Sequence, residues 1–94
     1  MEFIKQSENF TFTETAEFYE SKGSVNLEGS GLMHINFTIN KVDGTYVGDC
    51  HYSNYSDNNT INFNVNCHEE FRKEITEYAE SIIDGVIEHF KSID

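Results

Sequence analysis

The sequence predicts an α+β domain, an antiparallel β-meander of about five strands with one long C-terminal amphipathic helix packed on one face. Three observations predict it. Apolar and polar residues alternate over residues 9–67, the period of strands that bury one face. After Cys67 the apolar residues recur at helical spacing instead. Short turn signals, Asp43-Gly44 foremost, punctuate the alternation. The whole chain, residues 1–94, reads as one domain, with strands within 9–67, a helix over about 68–92 and an arm at 1–8.

The arm is compatible with a short helix, an edge strand or a loose segment. In the first strand Phe10, Phe12, Ala16 and Phe18 share one parity, and Thr11, Thr13, Thr15 and Glu17 take the other. Glu14 and Glu20 fall on the apolar parity, where that strand ends or bulges. A turn at Lys22-Gly23 would bring Phe18 opposite Leu27. Val25 and Leu27 follow, and a Gly29-Ser30-Gly31 loop would set Leu27 opposite Met33. Met33, Ile35, Phe37 and Ile39 then alternate with His34, Asn36, Thr38 and Asn40.

The next two turns set register. A two-residue Asp43-Gly44 turn pairs Val42 with Thr45, hence Phe37 with Cys50 and Ile35 with Tyr52. Asn58-Asn59 pairs Asp57 with Thr60, hence Cys50 with Cys67 and Tyr52 with Val65. Both turns place Cys50 and Tyr52 on the apolar face, an agreement that a one-residue slip would destroy. In the last strand Ile61, Phe63, Val65 and Cys67 face the core, with Asn62, Asn64 and Asn66 opposite.

The helix stripe is Phe71, Ile75, Tyr78, Ala79, Ile82, Val86, Phe90 and Ile93, widened by Ile83 and Ile87. Asn66 is the expected N-cap, with Glu69 and Glu70 in the first turn, where the helix dipole favours anions. Gly85, inside the run, predicts a bend or close packing.

Charge excludes more than it assigns. Seventeen acidic against six basic residues give a net charge of −11. Such a field repels phosphate backbones and anionic lipid, so neither direct nucleic-acid binding nor membrane binding is expected. It attracts a basic protein surface. Met1–Glu8 lacks the basic and apolar regions of a signal peptide, and no stretch approaches the ~20 apolar residues of a membrane span. A cytoplasmic protein is expected, in which the sequons at Asn9, Asn36, Asn54 and Asn58 carry no glycan.

Cys50-His51 and Cys67-His68 invite a zinc reading. Neighbours in a strand point to opposite faces, however, so no single ion reaches all four. Cys50 and Cys67 are expected as buried, reduced cross-strand thiols, with a disulfide in an oxidising compartment. On the outer face His34, His51 and His68 form a diagonal with Asp49 beside His68, the alternative metal or titrating site. The same face is rich in amides, Asn26, Asn36, Asn40, Asn62, Asn64 and Asn66, with Tyr19 and Tyr55. On the helix exterior Glu69, Glu70, Glu74, Glu77, Glu80, Asp84 and Glu88 outnumber Arg72, Lys73 and Lys91.

No phosphate loop, catalytic triad or cofactor fingerprint is present, so neither a cofactor nor an enzymatic activity is expected. The expected function is an acidic protein-interaction module of the inhibitor or immunity type. A basic protein partner would meet Glu70, Glu74, Glu77, Glu80, Asp84, Asn62 and Asn64. The alternatives are a module for a small apolar or sugar ligand and a metal-dependent role of the histidines. Unpaired edge strands make a monomer or a homodimer the expected states.

Overall fold

Six antiparallel strands lie side by side in sequence order: β1 (Glu2–Gln6), β2 (Asn9–Thr15), β3 (Tyr19–Leu27), β4 (Met33–Lys41), β5 (Tyr46–Tyr55) and β6 (Thr60–Cys67). A 3-10 turn, Glu69–Phe71, leads into α1 (Arg72–Lys91), which packs on one face of the sheet. The computed structural model describes residues 2–6, 9–27, 33–55 and 60–91. The architecture is the α+β meander with a C-terminal helix that the periodicities predict, with one strand more.

The extra strand is β1. Phe3 pairs opposite Phe12, and its ring stacks on His89 at 4.0 Å and meets Phe90 edge-on at 5.1 Å. The arm is therefore tied down by the last turns of the helix, a contact that no local period announces.

The core lies between sheet and helix. Val25, Ile35, Ile39 and Cys50 below, with Ile75, Ala79 and Val86 above, are fully shielded from water. Each fully buried Val or Ile contributes about 1.5–3 kcal/mol. The helical stripe is buried or half-buried from Phe71 to Phe90, while Ile93 lies outside the described residues. Ser21 is the one buried polar residue among those described, and its hydroxyl donates to the Tyr78 hydroxyl at 2.8 Å. Among the described residues no helix is long and apolar enough to cross a membrane.

Three connections differ from expectation. The chain reverses at Glu17 and Phe18, not at Lys22-Gly23: Thr15 pairs with Glu20, and the Ala16 amide donates to the Tyr19 carbonyl at 2.8 Å. Gly23 instead sits in mid-strand between Phe12 and Phe37, whose rings meet edge-on at 6.0 Å. A Cβ there would overlap the Asn36 carbonyl oxygen and the Phe37 Cβ. The glycine serves close approach, not a turn. Consequently Tyr19 faces the core at 8% exposure, and Phe18 is 63% exposed and is not opposite Leu27.

The β4–β5 connection is a three-residue loop, Val42-Asp43-Gly44. The Gly44 amide donates to the Lys41 carbonyl and the Lys41 amide to the Thr45 carbonyl, both at 2.8 Å. Gly44, at φ 97°, takes the left-handed conformation, and the Asp43 carboxylate accepts the Thr45 amide at 2.9 Å. Asn40 therefore pairs with Tyr46, one step from the expected register. A bulge at Val47 cancels the step, so Ile39 meets Gly48, Phe37 meets Cys50 and Ile35 meets Tyr52. The expected pairs survive because two deviations compensate.

The β5–β6 register is displaced by two residues. Tyr55 pairs with Thr60, Tyr52 with Phe63, Cys50 with Val65 and Gly48 with Cys67. Asn58-Asn59 lies outside the described residues, as does the Gly29-Ser30-Gly31 loop, although Leu27 does pair with Met33. An even displacement leaves every side chain on its expected face, which is why facing alone does not reveal it. Cys50 and Cys67 share a face but are not opposite each other.

At the helix start His68 is the extended residue before the first turn, and it makes no side-chain cap. Asn66 remains in β6 and does not cap; its amide donates to Asp49 at 2.9 Å. Gly85 lies exposed and not against the sheet.

Candidate functional site

The helix crosses the sheet obliquely. Near its start Lys41, at the end of β4, places Nζ 5.6 Å from the centre of the Phe71 ring. At its far end Phe90 meets Phe3 and Phe10 of β1 and β2. It thus runs away from the first half of β6 and leaves a groove of about 280 Å³ between itself and that strand. Tyr52, Ile61, Phe63, Ile83 and Ile87 line the groove, and Glu80 and Asp84 stand at its rim. Ile61 is 56% exposed there.

The expected acidic residues stand along this helix. Glu74, Glu77, Glu80, Asp84 and Glu88 recur at three- and four-residue steps and are exposed, opposite the buried Ile75, Ala79 and Val86. Glu70 precedes them in the 3-10 turn. Glu74 has a second duty, because it accepts the Tyr19 hydroxyl; burial and then this bond push Tyr19 up to about 12. Tyr52 is likewise pushed up, by burial and then by the charge of Asp84. Arg72 is engaged by Glu69 at 3.3 Å.

Asn62 and Asn64 are exposed on β6, opposite Ser53 and His51, so they stand on the other face of the sheet. The expected partner-binding residues thus divide between two faces. They can be reached together only along the free edge of β6.

The outer face carries a hydrogen-bonded cluster around Asp49. Its carboxylate accepts the Asn66 amide at 2.9 Å and the Tyr46 hydroxyl at 2.7 Å, with His51 Nε2 3.6 Å away. Asn66 first and Tyr46 second hold Asp49 below the usual carboxylate range, and Asp49 in turn raises Tyr46. His51 Nδ1 bonds the Asn36 amide oxygen, and His34 Nδ1 lies 2.9 Å from Ser53 Oγ. The register of β6 breaks the expected diagonal: His51 sits opposite Asn64, Asp49 is beside Asn66, and His68 lies past the paired end of the strand. His34, His51 and His68 therefore do not converge. Among the described residues no group of three His, Cys, Asp or Glu is placed to hold a metal ion.

Cys50 and Cys67 are free thiols. Burial, aided by the charge of Asp49, pushes Cys50 up to about 12, which keeps it protonated and unreactive.

Alternation does not reveal a second surface at the opposite end of the sheet. Phe18 and Val42 (63% and 58% exposed) stand side by side on two turns, joined by the Val42 amide donating to the Phe18 carbonyl at 3.2 Å. With Tyr19, Lys41, Phe71 and Glu74 they line a cleft of about 420 Å³. The signal that could have found it was a bulky aromatic, Phe18, within the reversal itself. Comparison of the chain with family models, with curated proteins and with solved structures finds no match in any of the three.

Proposed function

We propose that this chain is a non-enzymatic interaction module that binds a basic protein partner in the manner of an inhibitor or immunity-type protein. The observation that carries the reading is the acidic flank of α1, with Glu80 and Asp84 at the rim of an exposed apolar groove. Charge of one sign raises the encounter rate with an opposite surface, and the apolar floor supplies the area that holds it. The net charge of −11 extends the field beyond the groove.

The test is affinity capture from a lysate at about 50 mM and about 500 mM salt, beside an E80K/D84K variant. A basic partner retained at low salt, released at high salt and lost by the variant is the expected result. An acidic partner, or capture indifferent to both salt and variant, rules the mechanism out. The cleft beside Phe18 and Val42 favours a second reading, a small apolar ligand, since its volume falls within the ~300–1,000 Å³ of ligand pockets. A ligand screen that reads melting temperature tests it, because a compound bound only by the native state raises that temperature.

A further inference from the structure

We infer that the basic partner docks as an added β-strand: an extended segment with alternate cationic side chains pairs with the edge of β6 and fills the groove beneath α1. This deepens the proposed function and rests on it.

The two edges of the sheet differ. β1 is five residues long and carries Glu2 and Lys5, and charged side chains are a common device against edge pairing. β6, Thr-Ile-Asn-Phe-Asn-Val-Asn-Cys, is eight residues long with no charge, proline or glycine. It pairs with β5 alone, and among the described residues no strand lies on its other side. A long, uncharged, alternating edge is a template for another strand.

The groove decides what that strand carries. A strand added ~4.8 Å beyond β6 points alternate side chains toward the helix, over Ile61 and Phe63 and up to Glu80 and Asp84. Arginine or lysine suits those positions, its methylenes covering the apolar floor and its charge reaching the carboxylates. The intervening side chains meet the outer row of Asn62 and Asn64, which suits small polar residues such as threonine. A second copy of this chain suits the edge less. Antiparallel pairing of two β6 strands sets the Glu80–Asp84 flanks of two chains, each of net charge −11, against one another. A cationic strand turns that repulsion into attraction.

The probe is a capped peptide of about ten residues alternating threonine and arginine, beside a control of equal charge in which two threonines are replaced by proline, which cannot complete a ladder. Binding and amide exchange of the full chain are followed by NMR. At about ten times its Kd the Thr-Arg peptide should slow exchange of β6 amides about tenfold, leave β1 unchanged, and lose affinity about tenfold or more in the proline control and in E80K/D84K. Equal binding of both peptides without β6 protection overturns strand addition and leaves the basic-partner reading standing. No binding of either up to about 1 mM overturns both. Concentration-dependent β6 protection without peptide assigns the edge to a second copy and overturns the inference.

Discussion

Replacing Gly23 with alanine and Gly85 with alanine is the same chemical change with opposite expected signs. At Gly23 the new methyl overlaps the Asn36 carbonyl oxygen and the Phe37 Cβ, and stands 2.7 Å from the Phe37 Cα. None of these can retreat, because β4 is paired on both sides, with β3 and with β5. Gly23 is not at positive φ, so steric overlap is the whole difference. Overpacking of this kind costs about 3 kcal/mol, and the stiffer unfolded chain returns about 0.7 kcal/mol, a net loss of about 2 kcal/mol. At Gly85, exposed within α1, alanine gains about 1 kcal/mol of helix propensity. Urea unfolding with a slope of about 1 kcal/mol per M should move the midpoint down by about 2 M in the first variant and up by about 1 M in the second. Shifts of the same sign, or a Gly23→Ala change within about 0.5 kcal/mol of the parent, would refute the close-approach argument.

Ser21→Ala removes the buried hydroxyl that donates to the half-buried Tyr78 phenol, for a loss of about 1 kcal/mol. A cycle with Tyr78→Phe should show coupling, and purely additive losses would show that the bond contributes nothing. With a thiol reagent at pH 8, native protein should expose Cys67 and leave Cys50 unmodified until the chain unfolds; rapid reaction of both would contradict the burial of Cys50. Asp49 has its folded pKa depressed below the unfolded value of about 3.9, so its contribution is complete above that pH and disappears as pH falls through the folded value. Asp49→Asn should therefore flatten the acid limb of the stability profile below about pH 4, and an unchanged limb would show that the Asn66 and Tyr46 bonds do not act on it.

Much of the candidate site was legible. Glu77, Glu80 and Asp84 lie on the exposed flank of α1 because the 3.6-residue period that buries Ile75, Ala79 and Val86 leaves them no other place. The groove was not legible, since it arises from the oblique crossing of the helix, set by Phe90 seating on Phe3 and Phe10. Nor was the dispersal of the histidines. A shift of two residues in β6 moves His68 beyond the pairing while preserving every facing, and only the length of the 56–59 connection carries that information.

Alternation and helical period by themselves determined that one helix must cover one sheet and, Phe18 and Tyr19 at the β2–β3 reversal excepted, most of the side chains that leave water, because burial of a stripe against a face depends on spacing along the chain. Lateral position was decided in three dimensions. Gly23 is a contact between strands, Val47 a bulge that corrects a loop, and β1 a strand because the end of the helix lies across it. Each depends on how neighbouring backbones fit, a quantity that has no period in the sequence.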